Sequence, residues 1–116
     1  MIYKGGCHCG KINFTIDSDI QNVMQCNCSI CTKRGYLLSF LPRTSLHLTT
    51  LESNMSTYTF NKHQIKHRFY PTCGCAPFGE AINPKTGEAS VAINVRCLEN
   101  VDISKLEIKF FDGRSI

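Results

Sequence analysis

Seven of the eight cysteines fall in three tight clusters: Cys7-His8-Cys9, Cys26-Asn27-Cys28-Ser29-Ile30-Cys31 and Cys73-Gly74-Cys75. This grouping constrains the fold more than any other feature. Thiolates one to three residues apart can converge on a soft metal ion. They are badly placed to staple distant segments as disulfides. Structural zinc sites close a tetrahedron with four protein ligands, whereas catalytic sites supply three and leave one position open. Two pairs, Cys7/Cys9 and Cys73/Cys75, can meet across the fold and complete one tetrahedron. The triple Cys26, Cys28 and Cys31 can hold a second ion with one position open. Sequence alone does not show which clusters meet.

The rivals to zinc are weaker. The spacings match no ferredoxin pattern for an iron–sulfur cluster. Cys28-x-x-Cys31 is a C-x-x-C, but the βαβ context of a thioredoxin-like dithiol is missing.

The chain has 116 residues, so one domain over 1–116 is expected. Its core is small enough for metal cross-links to add usefully to stability. No apolar run is long enough for a transmembrane helix, and residues 1–6 lack the features of a signal peptide. A cytoplasmic, reducing location without membrane association is the expectation, and there clustered cysteines point to metal or catalysis. The formal charge of +4 treats thiols as neutral. Losing seven thiol protons and gaining two Zn²⁺ would bring it to +1. Only 62–68 is locally basic, and it reads as a solvated strand face in preference to an anion site. Nucleic-acid partners are not expected, because no basic patch with stacking aromatics stands out. Oligomeric state is left open.

Short strands dominate. Residues 11–16 alternate, with Ile12, Phe14 and Ile16 on one face. Residues 36–41, 46–51, 55–60 and 65–70 read as further strands, rich in apolar, Thr and aromatic residues. Residues 89–95 alternate again through Val91, Ile93 and Val95, and 105–110 reads as a final edge strand. One helical turn is expected over 29–34, with Ser29 as its cap and Gly35 after it. It would set Cys28 and Cys31 on one helix face. The cysteine clusters should lie on loops between strands.

Most other polar residues have structural readings. His8 should point away from its neighbours' metal, and His47 should be exposed. A metal role for the pair His63 and His67 is disfavoured because their surroundings are strand-like. Cys97, next in register after Val95, reads as a buried core thiol. Phe69, Phe78 and Phe110 read as core or pocket walls. Lys33 and Arg34 follow the central cluster and could meet a substrate carboxylate, although a solvated helix end is the preferred reading.

The segments Gly6-Cys7-His8-Cys9-Gly10, Cys26-Asn27-Cys28-Ser29-Ile30-Cys31 and Phe69-Tyr70-Pro71-Thr72-Cys73-Gly74 stand in a recognisable order. Across roughly residues 3–98 the chain resembles the glutathione-dependent formaldehyde-activating enzyme family, which includes centromere protein V domains. The resemblance implies a mainly β, Mss4-like fold with cysteine-bearing loops, at most one or two short helical turns, and two zinc sites. It assigns Cys7, Cys9 and Cys73 to a structural zinc. Cys26, Cys28 and Cys31 match the ligands of the catalytic zinc. The implied activity is carbon–sulfur lyase chemistry on a thiol–aldehyde adduct such as S-hydroxymethylglutathione, with glutathione as the small-molecule partner. One departure stands out: Tyr70 occupies the place of the family's first C-x-x-C cysteine. Cys75 is the preferred replacement; water as fourth ligand, or a weakened site, are the alternatives. A non-catalytic zinc module binding a protein or small ligand is the competing functional reading.

Overall fold

The computed structural model describes residues 1–115. The strands are β1 (Ile2–Gly6), β2 (Asn13–Asp17), β3 (Asn22–Cys26), β4 (Leu38–Pro42) and β5 (Leu46–Leu48), then β6 (Ser56–Tyr58), β7 (Lys66–Phe69), β8 (Phe78–Ile82), β9 (Ala89–Asn94) and β10 (Glu107–Phe111). One α-helix, α1 (Ser29–Arg34), is present among the described residues, along with short 3-10 turns. The expected mainly β, Mss4-like architecture with its single helical turn is what is found. No helix is long and apolar enough to cross a membrane among these residues.

The strands form a three-stranded sheet, β1-β2-β5, and a seven-stranded sheet, β10-β3-β4-β9-β8-β7-β6. Every pairing is antiparallel except that of β10 with β3. The main core draws on both sheets: Ile12, Phe14 and Ile16 around β2 meet Phe78 of β8 and Val91 and Ile93 of β9. Phe14 and Phe78 pack edge to face, with ring centroids 5.9 Å apart. The alternation read at 11–16 and 89–95 is thus the sheets' inward face.

Several boundaries and surroundings differ from expectation. Strands β1, β3 and β8 were not anticipated. Their sequences, IYKGG, NVMQC and FGEAI, carry Gly, Asn, Glu or Lys with low strand propensity. Pairing with neighbouring strands overrides that preference. Of the two readings given for Phe110, core or pocket wall, the second holds: it is 70% exposed because β10 lies at the sheet edge, and it lines a surface cavity. The alternation of β9 does not reach Cys97. A 3-10 turn over Val95–Cys97 breaks the register, leaving Val95 buried and Cys97 only half-buried.

The basic stretch 62–68 is solvated only in part: Lys62, His63 and Lys66 are exposed, but the last two residues are not. His67 and Arg68 are each only 8% exposed. β7 is an interior strand, with β6 on one edge and β8 on the other. Arg68 donates through Nη1 to Glu80 Oε2 at 2.9 Å and through Nη2 to the Glu52 carbonyl at 3.3 Å. Arg43 reaches the other Glu80 oxygen at 3.1 Å. The carboxylate between two guanidiniums is what allows Arg68 to be buried.

Candidate metal centres

Two cysteine triads emerge from this framework. In the first, Cys7, Cys9 and Cys73 bring their sulfurs within 4.8 Å of one another. Cys7 and Cys9 lie in the turn joining β1 to β2, and Cys73 in the turn joining β7 to β8. Backbone hydrogen bonds hold both turns: the Cys7 N–H donates to the Ile12 carbonyl at 3.2 Å, and the Gly74 N–H to the Tyr70 carbonyl at 2.8 Å. The two sheets therefore carry the halves of this site toward each other.

Peptide groups turn toward the sulfurs. The Ile12 N–H donates to Cys7 Sγ at 3.3 Å. The Cys9 N–H, and then the Cys75 N–H, stabilise the Cys73 thiolate and, against some loss of solvent, hold its pKa down at about 6. Such N–H···S contacts favour ionised sulfur, the form that binds metal. Cys7 and Cys9 sulfurs are 3.5 Å apart, close to the roughly 3.8 Å edge of a tetrahedron with zinc–sulfur bonds of about 2.3 Å. Both the donor chemistry and the spacing fit a thiophilic ion.

Cys75 belongs to the same turn, but the close group of three sulfurs does not include it. The Tyr70 N–H donates to its carbonyl at 3.1 Å. Cys97 also approaches this end of the fold. Leu98 bridges Gly5 in antiparallel fashion, which sets Cys97 beside the end of β1. Burial pushes its thiol up to about 11, reinforced by the charges of Cys75, Cys7 and Cys73.

The second triad is Cys26, Cys28 and Cys31, again with sulfurs within 4.8 Å of one another. Cys26 ends β3, Cys28 is the residue that caps α1, and Cys31 sits in the helix. The cap is thus Cys28 rather than the expected Ser29, and no side-chain hydrogen bond closes it. At the other end, Gly35 stops the helix as expected, at φ 65° with its N–H donating to the Cys31 carbonyl. The Cys28 N–H donates to Cys26 Sγ at 3.4 Å. Burial works upward on the Cys28 thiol, but the N–H groups of Cys31 and Ile30 and the neighbouring thiols outweigh it, and the net shift is downward. Cys31 goes the other way: burial, then the Cys28 and Cys26 thiols, push it well up. Three sulfurs this close, without cation, cannot all ionise. A bound dication removes that conflict.

The C-terminal segment completes this site. Phe111 of β10 pairs with Cys26. Beyond it, Asn27 donates through Nδ2 to Asp112 Oδ1 at 2.8 Å and accepts the Arg114 N–H on Oδ1 at 2.9 Å. Gly113 packs over the sulfur of Cys26. A cavity of about 320 Å³ opens beside the triad, lined in part by Cys26, Cys31, Tyr36, Arg96, Phe110 and Arg114. Asn27, Gly113, Arg96 and Arg114 were not among the sequence candidates. The Asp112-Gly113 turn was visible, but its contact with Cys26 spans most of the chain.

On the far side of α1, Arg34 is not a solvated helix end. Its Nη1 donates to the Tyr36 hydroxyl at 2.7 Å. Its guanidinium lies 5.5 Å from the Phe69 ring centre, 5.9 Å from that of Tyr36 and 6.0 Å from that of Tyr58. Tyr36, His67, Phe60 and Tyr58 form a continuous stack behind it. Burial, then the Arg34 charge, lowers the His67 pKa, so that ring is neutral. His8 and His47 are exposed, and no histidine joins a metal-competent group among the described residues.

Residues 2–113 match the model of the glutathione-dependent formaldehyde-activating enzyme family. The chain belongs to that family. The match takes in both triads and runs through β10 to Gly113, beyond the 3–98 stretch in which the motifs are visible. A crystal structure of a Rhodobacter sphaeroides protein is similar, with a TM-score of 0.75 and 25% sequence identity over 91% of this chain and 99% of the other. Within the glutathione-dependent formaldehyde-activating frame, both triads are sites where metal ions could be held.

Proposed function

We propose that this chain is a cytoplasmic, zinc-dependent carbon–sulfur lyase acting on a thiol–aldehyde adduct such as S-hydroxymethylglutathione. The observation that carries this reading is the second triad: three cysteine sulfurs within 4.8 Å, two of them on the wall of an open cavity. Three ligands beside a cavity are the pattern of a site with one position left for substrate. The first triad, Cys7, Cys9 and Cys73, with Cys75 proposed as fourth ligand, is read as a structural zinc site that ties the two sheets together.

In the lyase direction the carbon–sulfur bond of a hydroxymethyl thioether breaks. The sulfur keeps the bonding pair, the hydroxyl loses its proton as the carbonyl forms, and the products are a thiol and formaldehyde. Zinc, when bound, would lower the pKa of the substrate thiol and so favour its thiolate. Cys26, Cys28 and Cys31 would hold that ion. The packing of α1 and the 112–115 turn fixes their spacing, and the cavity gives the adduct its place.

The test is metal content together with turnover. Two zinc ions per chain are expected, with formaldehyde release from the glutathione adduct abolished by Cys31→Ser. One tightly held zinc, a reduced and empty second triad, and equal turnover in Cys31→Ser would instead support a non-catalytic zinc module.

A further inference from the structure

The cavity beside the second triad has a second chemical feature besides its thiols. Two guanidiniums, Arg96 and Arg114, line it, and no Asp or Glu does. Neither arginine forms an ion pair among the described residues. Arg43 and Arg68 are different, since both have their charge answered by Glu80.

Both cationic residues stand on anchored backbone. The Arg96 N–H donates to Asn94 Oδ1 at 3.2 Å, and Asn94 is itself buried, donating to the Ala76 carbonyl at 3.2 Å. The Arg114 N–H donates to Asn27 Oδ1 at 2.9 Å, and Asp112 and Ser115 close the same turn with a 2.6 Å hydrogen bond. Asn27 lies between two cysteines of the triad, so the Arg114 backbone is tied directly to the thiol cluster. Phe110 adds an exposed aromatic wall to the same cavity.

We propose that Arg96 and Arg114 determine substrate specificity by pairing with carboxylates on the thiol, so that the site selects an anionic thiol over a neutral one. The proposal rests on the lyase reading for the place of the sulfur, at Cys26, Cys28 and Cys31. Charge balance supports it. A dication with three thiolates carries −1 and the Asp112 carboxylate bonded to Asn27 adds another, so the two arginines bring the surroundings to neutrality and leave no net negative charge to repel an incoming carboxylate. The planar guanidinium fork matches a carboxylate through two parallel hydrogen bonds. A cavity of about 320 Å³ is at the small end of ligand sites and fits a short peptide-like thiol.

The experiment measures equilibrium binding to the zinc-loaded full chain by titration calorimetry. The probes are glutathione and its diethyl ester, which keeps the thiol and masks both carboxylates. Wild type should bind the free acid at least tenfold more tightly than the ester. Arg96→Gln and Arg114→Gln should each weaken glutathione binding about five- to tenfold, the scale of a partly solvated charge pair. The double variant should bind acid and ester alike, with ester affinity unchanged throughout, which reports an intact fold. In turnover the loss should fall on KM rather than kcat. Equal binding of acid and ester by wild type, failure of wild type to bind glutathione, or persistence of the preference in the double variant overturns the proposal. The lyase reading fails separately: arginine-dependent glutathione binding without formaldehyde release would remove the reaction and leave the recognition.

Discussion

A methyl group placed on Gly113 would come within 2.5 Å of Cys26 Sγ. It would also come within 3.2 Å of the Cys28 β-carbon. The backbone of the C-terminal turn therefore occupies the space next to the triad, and only glycine leaves the sulfur where it is. Gly113→Ala should push Cys26 aside and weaken the second metal site at least tenfold while sparing the first. Metal analysis by native mass spectrometry should find about one zinc per chain in place of two. Two tightly bound ions in the variant would mean that the turn yields instead.

The cysteines should differ in reactivity when metal is removed. Cys73, held at about 6, is largely thiolate at neutral pH, whereas Cys97, pushed to about 11, is protonated. Timed alkylation of the metal-free protein at pH 7.5, followed by peptide mapping, should label Cys73 early and Cys97 and Cys31 last. Zinc should protect Cys73 strongly. Equal rates at all three would contradict the role given to the Cys9 and Cys75 N–H groups.

Stability of the metal-free protein should follow the same shifts. Cys73 has a folded pKa below its unfolded value of 9.0, so its contribution is full above pH 9 and is lost as pH falls toward 6. Cys31 and Cys97 are raised above 9.0, so above that pH the unfolded chain releases protons the folded one keeps, and folding is disfavoured. His67, lowered by burial and Arg34, acts against the fold in acid. Urea midpoints under reducing conditions should therefore rise from pH 6 to about 9 and fall beyond. A midpoint that declines steadily across this range would refute the assignment.

The fourth ligand of the first site can be located by substitution. Cys75→Ser should lower zinc affinity there while leaving the second site filled. Cobalt in place of zinc gives an independent reading, since its charge-transfer absorption drops with each thiolate lost. Unchanged affinity and spectrum would transfer the role to water or to Cys97, which approaches the same end of β1.

Arg34 ties the end of α1 to three aromatic rings and the Tyr36 hydroxyl. Arg34→Ala should cost about 1–2 kcal/mol of stability, from cation–π contacts of about 0.5–1 kcal/mol each and lost packing. Chemical denaturation of the zinc-loaded protein measures this. A change within about 0.3 kcal/mol would show the contacts to be energetically idle, as surface substitutions often are.

The thiol clusters were readable in sequence because their members are neighbours in the chain. Cys28 caps α1 and Cys31 sits in its first turn, a local arrangement that brings the two together whatever the rest of the fold does, and Gly35 marks the helix end. The alternation around Phe14 and Ile93 likewise reports a local period. What escaped depends on remote partners. β8, FGEAI, is a strand because β7 and β9 flank it. Arg68 looks solvated until Glu80 is placed beside it. Arg96 and Arg114 come to line one cavity only once the 3-10 turn at Val95–Cys97 and the segment after β10 have reached the same triad. The break in register that moves Cys97 out of the core has no marker in the apolar pattern, which runs unbroken through Val95.

The parallel pairing of β10 with β3 makes the wall over Cys26 a long-range contact, with Asn27 and Asp112 bonded across 85 positions of sequence. β10 lies at the sheet edge and is exposed along its whole length. Such edges are where a fold opens locally at least cost. Fraying of β10 would bare the thiols of the second triad while the first, held between the two sheets, stays closed.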